Sequence, residues 1–483
     1  MKPKIVLLVL LLVFFLTNGE SQTNKNQVET KQLTFEEISD DFSILKGALT
    51  TDYPSANRYI STDSVNKFWN KWERRLKSMN EREFFKLIGE ITHSFHDEHL
   101  IPNISQDFFK NPKRRFLPFT IERQNNILRV AHVHSSANSL KAGDEILSIN
   151  RHDTDEIIDE IGRRMHHDGH IKTFIERHFE DFSPTQSFNY FDMWYALLYE
   201  DRADYFELMV KHQADTIAIQ VNSLARKDYL DFYWSRMPRD APAKFRMIQD
   251  GVGYLEISSF HEWYRNQHKQ NFRRFFERTF KTIDEKGIGT LILDLRRCEG
   301  GDDSNKLLLQ YLIDRPFTVY RDMFVTFSGK PLYTDYYDYP SLELDSGLLT
   351  KLSENWYATS ELGRQKINGL TEMEPKKQVF QGKLIVLISG ATGSAAAVVA
   401  AMLKTYTDAI FIGEETGGTI NGPTALIVPY LTLPNSQIRV EVPLVQMHLN
   451  VENPNGRGVV PDVGPLKKVL SNEDFLELIT LIP

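Results

Sequence analysis

Cysteine is almost absent from this chain: Cys298 is the only one in 483 residues. No intramolecular disulfide can form, so cross-linked loop frameworks are excluded and stability has to come from packing. Long apolar runs are also scarce, since nothing after residue 16 is long enough to cross a bilayer as a helix. Blocks of one charge sign are missing too. The formal net charge of −8 comes from 57 basic and 65 acidic residues that are interspersed, which argues against nucleic acid as the main partner. There is no HExxH string. His93, His96 and His99 do recur at short spacing, but on a helix the first two share a face and the third has rotated away, so no metal site is expected.

What is present begins with Lys2 and Lys4 ahead of an unbroken apolar run at 5–16, followed by Gly19 and Ser21. Twelve apolar residues are too few for a membrane span and fit a secretory signal, which places residues 1–21 as an export segment and the mature protein outside the cytoplasm, periplasmic or extracellular. Cleavage should leave no stable membrane insertion. No cysteine follows the run, so a lipid anchor is not expected.

From Thr34 the texture becomes helical. Thr34 with Glu37 reads as a capping box, and apolar residues at helical spacing continue through FWNKWERRLKSM and EREFFKLIGEITHSF, giving a helical N-terminal domain at 33–112. Residues 113–225 start with alternating apolar and polar positions, then a Gly-Asp turn and an amphipathic helix, the pattern of a small β-rich module. The stretch 171–245 carries no clear period. From 243 to 470, strands (VGYLEISSF, TLILDLR, KLIVLIS, AIFIG) alternate with helices, which implies an α/β domain with parallel strands covered on both faces. Ligands of such sheets bind at the carboxyl ends of strands, and both DLRRCEGG (294–301) and SGATGSA (389–395) fall there.

Ser394 sits between an apolar strand and an Ala/Val-rich helix. The first-turn amides of that helix and its dipole would stabilise an oxyanion, making Ser394 a candidate nucleophile as well as an ordinary helix cap. Gly300, Gly301 and Ala395 could supply amide donors, because a glycine lets backbone N–H groups approach a substrate closely. The base has to come from far away among fourteen histidines. His99 is the candidate, at a helix-to-extended junction with Asp97 close enough to influence it. His166, His167 and His170, beside Asp168 in MHHDGH, read as a solvated turn, and Cys298 reads as a small buried residue.

Three separated segments then fit one family. The chain resembles the tail-specific (C-terminal processing) and tricorn-core serine peptidases over about residues 35–470. HDEHL stands for that family's Asp-Gly-His-Thr stretch, DLRRCEGG for Asp-Leu-Arg-x-Asn-x-Gly-Gly, and TGSAAA for Thr-x-Ser-Ala-Ala-Glu. GDEILSIN (143–150) resembles a segment of PDZ domains, and GEETGGTINGP and GRGVVPDV match two further family strings. The resemblance implies a helical N-terminal region, a PDZ-like module and an α/β catalytic domain of the crotonase-related (ClpP/crotonase-like) fold. It implies Ser394 as nucleophile, His99 as general base, and Ala395 with Gly300 or Gly301 as oxyanion hole, with no cofactor. Thr419 occupies the lysine position of the Ser-Lys branch, so the Ser-His branch is indicated. Three departures stand out: Cys298 for Asn, Ala397 for Glu, and Asn455, Gly456 and Arg457 where a third acid is expected, with Glu452 as its substitute.

The leading expectation is an exported serine endopeptidase acting on unstructured or C-terminal polypeptide segments. A peptide-binding protein that kept the fold and lost the chemistry is the alternative. A metal-dependent hydrolase built on His93 to His99 is a third reading.

Overall fold

The structure is a computed structural model describing residues 30–480 apart from 62–63, 105–110, 112–113, 125, 180–189, 200–203, 237–239, 328–329, 339–355, 359–364, 368–371 and 467–469. The export segment expected at 1–21 lies outside the described residues. Helix α1 (Phe35–Thr51) begins with the reciprocal Thr34/Glu37 box and buries Ile38, Phe42, Leu45 and Leu49. Helices α2 (Val65–Glu73) and α3 (Glu81–His93) follow, α3 starting where the Asn80 side chain accepts the Glu83 N–H. Beyond α3 the chain turns sharply, with His96 at φ +55°. It then passes His99 and forms a short strand, Ile101–Asn103, that pairs antiparallel with Arg439–Glu441. That pairing ties the segment carrying His99 to the far end of the chain.

The β-rich region is an antiparallel sheet of β1 (Phe119–Gln124), β2 (Ile127–Val133), β3 (Glu145–Ile149), β4 (Tyr205–His212) and β5 (Asp215–Asn222), in the order β5-β4-β3-β2-β1, with His152–Asp153 beside β3. Helix α4 (Thr154–Gly162) follows the Gly-Asp turn as its pattern required. The aperiodic stretch after it holds helices Lys172–His178 and Tyr190–Tyr199 ahead of β4.

In the C-terminal half, β6 (Ala243–Gln249), β7 (Val252–Ile257), β8 (Thr290–Asp294), β9 (Lys383–Ile388) and β10 (Ile410–Gly413) form one sheet in that order. Strands β7 to β10 are parallel and β6 is antiparallel to β7. The continuous apolar runs follow from burial on both sides. Leu291, Leu293, Val386 and Ile388 face the main core with helices α5 (Phe272–Glu285) and α6 (Ser394–Tyr406), whereas Ile292, Ile385, Leu387 and Ile412 pack with Phe475 and Leu478. Those last two belong to helix Asn472–Thr480, so the cover of the second face extends past the boundary at 470 expected from the sequence. Among the described residues no helix is long and apolar enough to cross a membrane.

If Asn472–Thr480 is part of the domain core, Phe475→Ala should cost about 3–5 kcal/mol in denaturant unfolding. A change within about 0.5 kcal/mol, the behaviour of a surface residue, would contradict that packing.

Candidate active site

Strand β9 stops at Ile388 and the next five residues are laced to the loop that leaves β8. Ser389 Oγ donates to the Arg296 carbonyl at 2.7 Å, Thr392 Oγ1 to the Leu295 carbonyl at 2.9 Å, and the Gly393 N–H to the Cys298 carbonyl at 3.1 Å. The turn delivers Ser394 at φ +42°, left-handed for a residue with a Cβ. Such a conformation costs on the order of 1–3 kcal/mol and persists only where its surroundings over-determine it. The lattice of hydroxyl and amide bonds does that here.

Across this turn, His99 Nε2 lies 3.2 Å from Ser394 Oγ although 295 positions separate the two residues. Asp97 fixes His99 through the main chain: its Oδ1 accepts the His99 N–H at 2.9 Å while its Oδ2 accepts the Tyr53 hydroxyl at 2.6 Å. Burial pushes the His99 pKa down, with Asp97 opposing and His261 adding to the shift. A neutral imidazole with a lone pair toward a hydroxyl is the form a general base needs. The other ring nitrogen, Nδ1, is buried and has no hydrogen-bond partner among the described residues; Glu98 Oε1 stands 3.7 Å away. The same Oε1 accepts the Ser394 N–H at 3.0 Å. Burial, with Asp168 and Asp97 nearby, holds the Glu98 carboxyl well above the usual carboxylate range, and the bond from Ser394 pulls the other way.

The glycine pair has a backbone that other residues rarely adopt, Gly300 at φ +112° and Gly301 at φ +136°. A Cβ on Gly300 would fall 2.7 Å from the Ala395 nitrogen and 2.8 Å from Ser394 Cβ. Only glycine lets this loop lie against the serine. Among the described residues the amides of Gly301 and Ala395 donate to no backbone carbonyl. Asn305 Nδ2 donates to the Ala395 carbonyl at 3.0 Å, a brace on this region where Cys298 supplies no amide. Burial raises the Cys298 thiol to about 12, which leaves it a packed, inert group.

The structure thus brings Ser394, His99, Gly300, Gly301 and Ala395 together. Glu452 is not among them: it is exposed, and no hydrogen bond or ion pair among the described residues joins it to His99. Two features escaped the sequence. Glu98 was hidden in plain view beside His99, and its only signal was that adjacency. The MHHDGH segment is not a solvated turn. His166, His167 and Asp168 are buried, because Asp168 Oδ2 accepts the Thr419 N–H at 2.8 Å and the Gly169 N–H bonds the His96 carbonyl at 3.0 Å. Burial, opposed by Arg58, raises Asp168 to about 6. Arg58 reaches in from the N-terminal region to the Gly422 carbonyl at 2.6 Å and Thr419 Oγ1 at 3.3 Å, so a guanidinium approaches the residue that stands at the lysine position.

His93 and His96 turn Nδ1 to the carbonyls of Met165 (2.6 Å) and Gly169 (3.0 Å), and their rings pack on His167. His99 faces Ser394 instead of joining them. Among the described residues no group of three or more His, Cys, Asp or Glu side chains is placed to hold a metal ion.

Residues 251–464 match the model of peptidase family S41, a span that contains Ser394 and both glycines but not His99. This part of the chain is a serine-type peptidase domain of family S41. No curated protein matches the sequence. The structure is similar to that of a serine-to-alanine mutant of CPAF, with a TM-score of 0.63 at 12% identity over 89% of this chain and 93% of that one. Mature CPAF complexed with lactacystin gives a TM-score of 0.62 at 13% identity, over 89% and 94% of the two chains. At such identity the likeness establishes a shared mixed α/β fold. The photosystem II D1 C-terminal processing protease aligns over 90% of this chain and 95% of its own at 14% identity, but its TM-score of 0.44 is too low to argue from.

Because a Cβ at 300 would strike the serine turn, Gly300→Ala should cut the rate at which Ser394 reacts with a fluorophosphonate by about 100-fold or more. Reaction at the wild-type rate would show that the glycine loop does not shape the site.

Proposed function

We propose that this protein is an exported endopeptidase that hydrolyses unstructured or C-terminal polypeptide segments by Ser-His nucleophilic catalysis. The observation that carries the reading is the 3.2 Å contact between His99 Nε2 and Ser394 Oγ, next to the two glycines and the start of α6. His99 takes the Oγ proton as Ser394 attacks the scissile carbonyl. The amides of Ala395 and of Gly300 or Gly301 hold the oxyanion, aided by the positive end of α6. His99 then returns the proton to the leaving amine, and water, activated by the same base, hydrolyses the acyl-enzyme. No cofactor enters these steps.

The finer organisation belongs to the same proposal: a helical domain at 33–112, a PDZ-like module with its connecting segment at 113–225, and a crotonase-related catalytic domain from 243. GDEILSIN, now β3 and the residues around it, supports the PDZ-like reading, and Lys2, Lys4 and the apolar run support export. A second reading, a peptide binder without turnover, is favoured by one feature: the buried Nδ1 of His99 has no acceptor among the described residues.

Mass spectrometry of a mixed pool of unstructured peptides separates the two. The mature protein should cleave the pool, and Ser394→Ala and His99→Ala should each lose on the order of 10³-fold or more of that activity. Peptides that bind but stay intact with the wild-type protein would establish the binder.

A further inference from the structure

We propose that Glu98 is a positioning residue for this reaction: one carboxylate holds the Ser394 amide and faces Nδ1 of His99, filling the place that Glu452 leaves empty. The proposal rests on the Ser-His reading above.

Three observations converge on it. The nucleophile is strained, and the bond from its own N–H to Glu98 Oε1 is a direct restraint on that strain. The base has an orphan. When Nε2 accepts from Ser394, Nδ1 must carry hydrogen, and in this buried position Glu98 Oε1, at 3.7 Å, is the carboxylate oxygen that faces it. An approach of roughly 1 Å would make a charge-assisted bond. Finally, the carboxyl is confined between two glycine turns. A Cβ on Gly393 would lie 3.3 Å from Oε2, and one on Gly418 would lie 3.6 Å from Oε1. The neighbouring acids are committed elsewhere, Asp97 to Tyr53 and the His99 main chain, Asp168 to the Thr419 amide.

The proton inventory is simple. In the reactive state Glu98 is ionised and His99 is neutral with its hydrogen on Nδ1. As the Ser394 Oγ–H bond breaks, that proton moves to Nε2 and the imidazolium formed is held against the Glu98 carboxylate. Adding one proton to the pair, on either member, silences it. Burial and the nearby Asp168, Asp97 and Glu299 favour the protonated carboxyl, while burial and His261, opposed by Asp97, favour the neutral imidazole. The acid limb of reactivity in the wild-type protein therefore belongs to the pair.

The test is the rate of Ser394 phosphonylation by a fluorophosphonate as a function of pH. In that reaction the Oγ–P bond forms, fluoride leaves and the Oγ proton passes to His99. Glu98→Gln keeps an oxygen for the Ser394 amide but cannot ionise. Its maximal rate should fall on the order of 10- to 1,000-fold. Its acid limb should move to lower pH, because only His99, already shifted down, still titrates. Glu98→Asp keeps the charge and should keep the acid limb near its wild-type position. A Gln variant with an unmoved acid limb, whether fast or slow, would reduce Glu98 to a structural brace and overturn the proposal, as would an Asp variant whose limb moves with that of Gln. Labelling that persists in Ser394→Ala would instead sink the Ser-His reading itself.

Discussion

The contact that everything else serves is a single 3.2 Å approach between two residues 295 positions apart. The S41-matched segment carries Ser394 and the glycine loop, but His99 arrives from the N-terminal helices. That docking is held by several independent ties. Ile101–Asn103 pairs with Arg439–Glu441 just beyond His99. Asp41 accepts the N–H groups of Asn435 and Ser436 at 2.9 and 2.7 Å, and Arg58 reaches the loop that follows Gly418.

Beneath the site lie three buried carboxyls, Asp97, Glu98 and Asp168, an arrangement that burial and mutual repulsion make expensive. Each has the same use. Asp97 accepts the His99 N–H, Glu98 the Ser394 N–H and Asp168 the Thr419 N–H. The acids thus fix the main chain at His99, at Ser394 and at the turn packed against them. Arg58, itself half-buried, offsets part of the repulsion at Asp168. A polar network of this kind rigidifies a site only when its members are satisfied, and among the described residues Nδ1 of His99 is a gap in it.

How much of this was legible in the sequence divides along the range of the interactions. The strands and helices of the α/β half were readable because an apolar run with alternate residues in two cores has a period that needs no partner to reveal it. The placement of Ser394, Gly300 and Gly301 just beyond strand ends was readable because strand ends and helix starts are local. Glu98, Asp168 and His167 were not, since a charged or imidazole side chain at a turn looks solvated until another segment covers it. Glu452 failed for the converse reason: proximity in sequence to a family string put it forward, but the loop that carries it points it into solvent.

The most direct test is a crystal structure of the protein phosphonylated by a fluorophosphonate. Phosphorus should be bonded to Ser394 Oγ, with the phosphoryl oxygen within about 2.7–3.1 Å of the Ala395 nitrogen and of the Gly300 or Gly301 nitrogen, and with His99 Nε2 still facing Oγ. An adduct on any other residue, or a phosphoryl oxygen turned away from those amides, would contradict the Ser394 and His99 assignment.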